Sequence, residues 1–316
     1  MFYGISLSDL ILYISYFLIL KCFLTFIYWI YKNFIRQRKD LLKLYGANSW
    51  VLVTGATDGI GKSYCEEFAR LGFNIILVSR TQEKLDNVAS NLKTINSKIS
   101  TKTVMFDFNT KASLNDYLDT FAEIVNTYNV SILVNNVGMS IPKRFDRYDL
   151  NDCKQMINLN LIAQSLLTRI FVPKLITRKD RCAVISLSSC FSLHPFPLSQ
   201  LYHSSKKYND FLSVSLGLEA ELNKNIDFLS VLPMFVETPG TKLKANGLVS
   251  TVSQCVNGSL NDLSYESKTY GCVSHKIQGY IVSLIPEFVI RNFSLMVFGK
   301  KVNDRHKELN GQNKKE

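Results

Sequence analysis

The sequence lacks the cysteine pattern of a disulfide-stabilised or zinc-binding protein. Its seven cysteines are scattered, odd in number and contain no C-x-x-C pair, so we predict neither a disulfide framework nor a metal site and expect a reducing compartment. A zinc knuckle, an RNP-like aromatic strand and a basic recognition helix are also absent. The net charge of +11 therefore indicates a lysine-rich surface near a membrane, and we expect no nucleic acid as a partner.

The chain also lacks a Walker A loop, because Gly61-Lys62-Ser63 is not preceded by a glycine at the required spacing. Internal repeats and low-complexity linkers are missing too. What the chain does have is 316 residues, of which 47% are hydrophobic. That composition supports one large α/β domain with a short additional region, and it excludes an intrinsically disordered protein.

A long apolar run lies near the N-terminus. Leu10 to Ile30 is long enough to cross a bilayer, and its thirteen Leu, Ile and Phe residues outweigh the cost of Lys21 near the middle. A secretory signal peptide is disfavoured, because no basic stretch precedes the run and no small-residue cleavage site follows it. We predict a transmembrane segment, with a shallow hairpin bent at Lys21 as the alternative.

The charges on either side of this run predict its orientation. Asp9 is the only charged side chain before it, whereas several basic residues follow it, so the positive-inside rule places the rest of the chain in the cytosol. In that topology the three Asn-x-Ser/Thr triplets should stay unmodified. The basic residues are Lys32, Arg36, Arg38, Lys39 and Lys43, and the triplets start at Asn129, Asn257 and Asn292.

From Trp50 onward, short apolar runs alternate with segments of helical length. The runs are rich in Val, Ile and Leu, as in strands buried on both faces of a parallel sheet. The intervening segments are long enough for crossover helices. This βαβ series predicts an α/β fold with a doubly wound parallel sheet of the Rossmann type. The predicted strands are 50–54, 74–79, 103–107, 131–135, 182–187 and 227–232, and the predicted helices 62–71, 82–92, 113–125, 152–176 and 202–222.

The first predicted strand leads into a glycine-rich loop and then a helix. Gly55 permits a tight turn, Gly59 lets the backbone approach a pyrophosphate, and Gly61 allows close packing of helix and strand. The helix N-terminus would face the phosphates with free N–H groups. Arg80 follows the second strand, where an NAD-selective protein usually has an acidic residue. Because arginine can pair with a 2′-phosphate, we predict NADPH/NADP as the cofactor.

Tyr202 and Lys206 are four residues apart and share one face of a predicted helix. A tyrosine with a pKa of about 10 is a poor acid at neutral pH unless a nearby cation favours its phenolate. Lys206 would supply that charge. We expect Lys207 and Asp210, on the same helix, to be solvated.

The order of the motifs is more specific than any one of them. Residues 54–61, 135–138, 160, 189, 202–206 and 233–238 carry them in sequence, and Ser189 lies thirteen residues before Tyr202. From Trp50 to about Thr238 the chain resembles the short-chain dehydrogenase/reductase family. Longer stretches, among them HPFPLSQLYHSSK and VLPMFVET, look like the very-long-chain 3-oxoacyl-CoA reductases, also described as the 17β-hydroxysteroid dehydrogenase type 12 group.

The resemblance implies roles for four catalytic residues. Tyr202 would give a proton to the substrate carbonyl oxygen, and Lys206 would lower the tyrosine pKa and hold the nicotinamide ribose. Ser189 would polarise the carbonyl, and Asn160 would support a proton-relay water. Ser188 is the alternative to Ser189, but the spacing from Tyr202 favours Ser189.

The resemblance also implies a set of cofactor contacts. Asp107 would hydrogen-bond the adenine, Thr238 would contact the nicotinamide amide, and Asn135 and Gly138 would pack against the cofactor. The full set is Gly55, Thr57, Asp58, Gly59, Ile60, Gly61, Arg80, Asp107, Asn135, Gly138, Tyr202, Lys206, Pro233, Val236 and Thr238.

The C-terminal part has two patterns. Residues 239–276 are polar and irregular, which predicts a substrate lid. Residues 277–298 are apolar but contain Glu287, Arg291 and a break at Pro286, which favours a pair of membrane-surface helices over a second span. We therefore expect a membrane anchor with a basic segment (1–45), an NADP-binding catalytic domain (46–276) and a C-terminal membrane-associated segment with a basic tail (277–316).

The resemblance implies reduction of a 3-oxoacyl-CoA in very-long-chain fatty acid elongation, at the endoplasmic reticulum membrane with the catalytic domain facing the cytosol. An acyl-CoA or a steroid is the expected substrate. Membrane lipid, a fatty acid elongation complex and a second copy in a homodimer are candidate partners. A 17β-hydroxysteroid or retinoid dehydrogenase is the first alternative. A non-catalytic NADP-binding membrane scaffold is the second, and the retained Ser189, Tyr202 and Lys206 argue against it.

Overall fold

The computed structural model describes residues 6–111, 113–220 and 225–296, except for the side chain of Ala220. The chain forms two compact units, Met1–Arg38 and Lys39–Glu316. The boundary therefore precedes the predicted one at residue 45. Residues 277–296, predicted as a separate segment, belong to the same unit as the sheet.

The first unit contains helix α1, Leu7–Ile30, which continues into a π-helical turn at Tyr31–Ile35. Ser6 and Asp9 form a capping box at its start, and none of the α1 side chains is buried. Within the described residues, Leu7–Ile35 is the one helix long and apolar enough to cross a membrane, with 29 residues and a mean hydropathy of 2.2. The helix is continuous through Lys21, which excludes the alternative of a bend at that residue.

The second unit is built on a seven-stranded parallel sheet with the order β3-β2-β1-β4-β5-β6-β7. All six predicted strands are present, and a short seventh strand was not predicted. Because β1 lies beside both β2 and β4, the crossover direction reverses there, which creates a crevice at the carboxyl ends of the strands. The strands are β1 Trp50–Thr54, β2 Asn74–Ser79, β3 Thr101–Met105, β4 Val130–Asn135, β5 Cys182–Leu187, β6 Ile226–Val231 and β7 Lys268–Thr269.

Helices cover both faces of the sheet. One hydrophobic core includes Phe68 and Leu260, and the other includes Phe121 and Phe171. Apolar side chains alternate between these cores along each central strand, as in Val51 and Leu52, because successive strand residues point to opposite faces. The helices are α2 Leu41–Tyr45, α3 Gly59–Leu71, α4 Gln82–Ile95, α5 Leu114–Thr127, α6 Leu150–Ile157, α7 Ala163–Leu175, α8 Gln200–Ala220, α9 Val252–Asp262 and α10 Val273–Leu284.

The segment 239–276 is less irregular than predicted. A capping box formed by Thr251 and Gln254 starts α9, which buries Val256 and Leu260 in the core beside α3. Strand β7 then pairs with the end of β6. Residues 239–248 are all exposed and contain no helix or strand, so a lid would be expected in this shorter stretch.

The predicted break at Pro286 is confirmed as an interruption between two helical stretches. Helix α10 ends at Leu284, residues 285 and 286 are not helical, and residues 287–296 are helical again. We call residues 287–296 the C-terminal helical segment.

Candidate active site

The glycine loop connects β1 to α3 and needs glycine at three positions. Gly55 and Gly59 have positive φ angles of 64° and 51°, which disfavour other residues. A Cβ atom at Gly61 would lie 2.2 Å from the carbonyl oxygen of Gly55. The N–H groups of Ile60 and Gly61 lie in the first turn of α3, where the helix itself supplies no acceptor. This arrangement fits the phosphates of a dinucleotide.

Asn136 fixes the glycine loop and was not among the predicted site residues. Its side-chain amide donates to the carbonyl oxygen of Thr54 at 2.8 Å, and its backbone N–H donates to Thr54 Oγ1 at 2.9 Å. The neighbouring Asn135 instead directs its amide into the protein, where it donates to Thr168 Oγ1 at 2.9 Å. The sequence signal was the Asn-Asn pair after β4, but the pattern did not say which amide faces the loop.

Other predicted cofactor residues lie at the carboxyl ends of β2 and β3. Thr57 Oγ1 and Ser79 Oγ are 2.9 Å apart, which joins the glycine loop to the end of β2. Arg80 follows at an exposed position. Asp107, two residues after β3, accepts a hydrogen bond from the backbone of Asn109 at 2.9 Å. Their placement along one sheet edge suits the adenosine half of a dinucleotide.

Asp58 serves the local structure of the loop. It is the N-cap residue of α3, and its carboxylate accepts from the Gly59 N–H at 2.7 Å. The Thr238 methyl group would lie 3.3 Å from a Cβ atom at Gly59, so the loop after β6 reaches the glycine loop. The structure therefore brings Thr238, the last predicted cofactor contact in the sequence, close to the glycine loop, which contains the first ones.

Lys206 is buried beneath the crevice, with 4% of its surface exposed. Its Nζ atom donates to the backbone carbonyl oxygen of Leu187 at 2.7 Å and lies 5.7 Å from the ring centroid of Tyr202. Burial lowers the pKa of Lys206 from its ordinary 10.5 to about 8. The amine is thus held close to the tyrosine, as the four-residue spacing predicts.

Burial acts on Tyr202 in the opposite direction. Loss of solvent raises the pKa of Tyr202 to about 12, although a hydrogen bond with Ser189 lowers it and the neighbouring Cys190 raises it. The prediction that Lys206 lowers the pKa of Tyr202 is therefore wrong for this structure, because burial has the larger effect and raises it. The Lys206 ammonium group is directed at the Leu187 carbonyl oxygen.

The two tandem serines face different ways. Ser188 Oγ donates to the backbone carbonyl oxygen of Lys206 at 2.6 Å and is buried between β5 and α8. Ser189 hydrogen-bonds with Tyr202 and also accepts from the Phe191 N–H at 3.3 Å. The structure therefore brings Ser189, and not Ser188, to the tyrosine.

Asn160 lies in a π-helical turn, Asn158–Ile162, between α6 and α7. It is fully buried, its Oδ1 atom accepts from the Met139 N–H at 2.8 Å, and its Nδ2 atom donates to Ser205 Oγ at 3.0 Å. A Cβ atom at Gly138 would lie 3.1 Å from Asn160 Oδ1 and 3.2 Å from Lys206 Nζ. Gly138, Asn160 and Lys206 therefore converge at one point of the crevice.

The loop after β6 is held by a histidine that the sequence did not identify. His275 on α10 is fully buried, and its Nδ1 atom accepts from the Met234 N–H at 3.3 Å. Its Nε2 atom therefore carries the proton and donates to the Phe235 carbonyl oxygen at 3.1 Å. Pro233 is fixed separately, because its carbonyl oxygen accepts from the Cys190 N–H at 3.0 Å. No local pattern links residues so far apart in sequence.

An aromatic cluster lies directly beside Tyr202. The ring of His203 stacks on Phe191 at a centroid distance of 4.9 Å, and Phe191 meets the edges of Phe196 and Phe235 at 5.5 and 5.8 Å. Burial lowers the pKa of His203. A neutral, apolar wall of this kind suits a hydrophobic substrate better than a sugar or an amino acid.

Asp210 corrects one prediction about α8. It is 3% exposed, not solvated, and it accepts hydrogen bonds from Ser230 Oγ at 2.8 Å and Lys268 Nζ at 2.7 Å. This buried group joins α8 to β6 and β7. Lys207 is exposed as predicted.

Residues 49–247 match the short chain dehydrogenase family. The very-long-chain 3-oxoacyl-CoA reductase of Macaca fascicularis is 37% identical over 249 residues, covering 77% of this chain and 78% of the relative. A short-chain dehydrogenase from Sphingobium yanoikuyae, solved in complex with NADPH, has a TM-score of 0.61 and 26% identity, covering 68% of this chain and 84% of that one. A 7β-hydroxysteroid dehydrogenase has a TM-score of 0.69 at 21% identity over 81% and 99% of the two chains, which shows the shared fold.

These similarities agree with the geometry of the crevice. A glycine loop at the switch point of the sheet fits a nicotinamide dinucleotide, and the tyrosine, serine and lysine beside it fit proton transfer to or from an oxygen. The protein is an oxidoreductase that acts on a carbonyl or hydroxyl group with a nicotinamide cofactor. The chain belongs to the short-chain dehydrogenase/reductase family.

Proposed function

We propose that this protein is an NADPH-dependent reductase that converts a 3-oxoacyl-CoA to the 3-hydroxyacyl-CoA in very-long-chain fatty acid elongation. The observation that carries this proposal is the similarity to relatives of that name. The human relative, like the macaque one, is aligned over 77% of this chain, at 35% identity. This span is long enough to include the glycine loop, the tyrosine and the loop after β6.

The cofactor would be held along the carboxyl ends of the strands. The glycine loop, Asp107, Gly138 and Thr238 would contact it, and Lys206 would bind the nicotinamide ribose. A bound nicotinamide supplies a hydride to the substrate carbonyl carbon. The exposed guanidinium of Arg80 supports NADPH over NADH, because it can pair with a 2′-phosphate and stands where an NAD-selective site usually has an acidic residue.

The protein's own residues would complete the reduction at the carbonyl oxygen. Ser189 would donate a hydrogen bond that polarises the carbonyl, and Tyr202 would donate the proton. The charge of Lys206 would stabilise the phenolate left on Tyr202. Asn160, held by Met139 and Ser205, would orient a water that returns the proton to the site.

We place the protein in the endoplasmic reticulum membrane with its catalytic domain facing the cytosol. The apolar helix Leu7–Ile35 and the basic residues after it support this orientation. Glycan on Asn129, Asn257 or Asn292 of the protein expressed in cells would show a lumenal catalytic domain and overturn this topology.

The test of the activity is NADPH oxidation by full-length protein reconstituted in membranes. A long-chain 3-oxoacyl-CoA and an oxosteroid would be assayed side by side. We expect turnover of the acyl-CoA and a loss of at least about 100-fold in kcat for Tyr202→Phe. Tyr208→Phe is the matched control, since Tyr208 lies on the same helix and contacts Ser165.

Each outcome of that assay has a distinct meaning. Turnover of the oxosteroid alone would keep the chemistry and move the function to steroid metabolism. Full activity in Tyr202→Phe would remove the proton-donor role. No turnover of either substrate by protein that still binds NADPH would favour the non-catalytic scaffold.

A further inference from the structure

Helix α10 has its polar side inside and its apolar side outside. The side chains of His275 and Lys276 are buried, together with Gly279. The exposed side carries large hydrophobic residues at positions i, i+3, i+4 and i+7, which form one stripe along a helix. These residues are Ile277, Tyr280, Ile281 and Leu284, and they are 45–63% exposed. A surface helix in water normally has the reverse arrangement.

Buried polar contacts fix this orientation. Lys276 Nζ forms an ion pair with the Asp262 carboxylate at 2.7 Å, and both side chains are at most 10% exposed. His275 holds the backbone of Met234 and Phe235. Turning α10 to bury its apolar stripe would expose these groups and break their bonds, so the outward stripe is a property of the fold.

The C-terminal helical segment extends the same pattern. Its buried side chains are Ile290 and Ser294, at 7% and 2% exposure, whereas Phe288 and Met296 are both 66% exposed. Together the two helices present what we call the apolar face: Ile277, Tyr280, Ile281, Leu284, Phe288, Phe293, Leu295 and Met296. A set of large exposed apolar side chains on two successive helices is typical of an interaction site.

We propose that the apolar face binds the surface of a lipid bilayer, with its side chains inserted among the headgroups and first methylenes. The same chain has a helix long and apolar enough to cross a bilayer. The sequence after residue 296 contains six Lys or Arg residues and three Asp or Glu residues, which complements anionic headgroups. A second protein surface would not require that excess of basic residues in the sequence that follows.

The position of the apolar face next to the active site suggests a further role, which rests on the proposed function. His194, in the loop that follows Ser189, donates from Nε2 to the Val282 carbonyl oxygen of α10 at 3.3 Å. Phe235, held by α10 through His275, contacts the aromatic cluster beside Tyr202. An acyl chain inserted in the bilayer at this face would therefore enter the site past Phe235 and the aromatic cluster.

Photolabelling of the full-length protein tests the proposal. The protein would be reconstituted in phosphatidylcholine and phosphatidylserine vesicles that contain a phospholipid with a diazirine on its acyl chain. After irradiation, labelled peptides would be mapped by mass spectrometry. We expect label within residues 277–296 as well as in Leu7–Ile35. The outer side of α5, with Leu114 and Leu118 at 58% and 43% exposure, is the internal control and should stay unlabelled.

Lipid label confined to Leu7–Ile35 would overturn the proposal. So would protein–protein crosslinks between copies through residues 277–296 in the absence of lipid label, since the face would then be a dimer interface. These readouts do not depend on any substrate, so failure of the proposed function leaves them interpretable.

A substitution tests the link to the substrate. In Ile281→Glu we expect the KM for a long-chain substrate presented in vesicles to rise at least about tenfold, because a charge opposes insertion of this helix. The KM for a short, water-soluble ketone substrate should not change. Leu114→Glu, at the exposed start of α5, is the matched control. Equal KM values for Ile281→Glu and the wild-type chain on the vesicle substrate would contradict the inferred route.

Discussion

Burial of two adjacent ionisable side chains determines the acid–base properties of the site. Both Tyr202 and Lys206 are shifted towards their neutral forms, with pKa values of about 12 and about 8. Burial favours the neutral form of each side chain, because a charged group is poorly solvated inside the protein. Near neutral pH the tyrosine therefore carries the proton that a carbonyl reduction requires, and the lysine still carries most of its charge.

The buried lysine is expected to cost stability. Because its pKa falls from 10.5 to about 8 on folding, the unfolded chain binds more protons between these values, and stability rises with pH across that window. Lys206→Met should raise the free energy of unfolding at pH 7 by about 2 kcal/mol, after the lost bond to Leu187 is counted. The gain should fade between pH 8 and 10.5. Urea unfolding at several pH values measures this.

The same variant should have no measurable turnover, which separates its functional effect from its effect on stability. The contrary result would be a Lys206→Met variant that is less stable than the wild-type chain at pH 7, by an amount that does not change towards alkaline pH. It would mean that the hydrogen bond of the Lys206 ammonium group stabilises the fold by more than its burial destabilises it.

Arg80 is expected to determine cofactor choice. Removing an exposed guanidinium that pairs with a 2′-phosphate loses a charge-assisted interaction of about 1.5–3 kcal/mol, so Arg80→Ala should raise the KM for NADPH about 10- to 100-fold. The KM for NADH should hardly change. Steady-state kinetics with both cofactors measure the ratio, and Lys84→Ala, exposed on the next helix, controls for net charge. An unchanged ratio would remove this assignment from Arg80.

At the scale of elements, glycines allow α9, β7 and α10 to pack closely. A Cβ atom at Gly258 of α9 would lie 2.5 Å from the backbone of Gly271, and one at Gly279 of α10 would lie 2.5 Å from the ring of Tyr270. These contacts fix α10, and with it His275 and the loop after β6. The C-terminal elements thus position part of the active site from a distance.

Gly258→Ala should destabilise the protein by about 1–3 kcal/mol, because the clash is with backbone that cannot move aside. Gly217→Ala on α8 is the matched control: its Cβ atom would meet Phe228 at an ordinary 3.6 Å, and alanine should stabilise the helix by about 0.5–1 kcal/mol. Urea midpoints of the two variants are expected to move in opposite directions. A neutral result for Gly258→Ala would show that α9 and the turn before α10 can separate.

At the scale of the whole molecule, the division into two units has consequences for stability. No side chain of Leu7–Ile30 is buried, so the cores of the second unit are complete without it. We expect a chain that begins at Lys39 to unfold cooperatively, with a melting temperature within about 2 °C of the full chain in the same detergent.

Thermal unfolding followed by circular dichroism measures this, with NADPH binding as a check on the folded state. A broad or much earlier transition of the shortened chain would show that residues before Lys39 support the catalytic unit. If the apolar face binds lipid, the shortened chain should also still float with vesicles in a density gradient.

By itself, the sequence determined the βαβ order, the glycine loop, and five of the six predicted strands to within one residue at each end. These features depend on local hydrophobic patterning and on backbone conformations that only glycine adopts easily, so they are visible in short windows. The spacing of Tyr202 and Lys206 is equally local. The prediction placed strand β3 two residues too late in the chain, because the half-exposed start of this strand has few apolar residues.

Only the tertiary structure decided that Asn136, and not Asn135, faces the glycine loop. For the tandem serines it agrees with the spacing, which favoured Ser189 over Ser188. It also decided that Asp210 is buried, since its partner Lys268 lies on a strand too short to show a pattern. The orientation of α10 likewise depends on an ion pair with α9. Such contacts join residues far apart in sequence and form only when the chain folds. Their contribution to stability therefore leaves no pattern in any short stretch of the sequence.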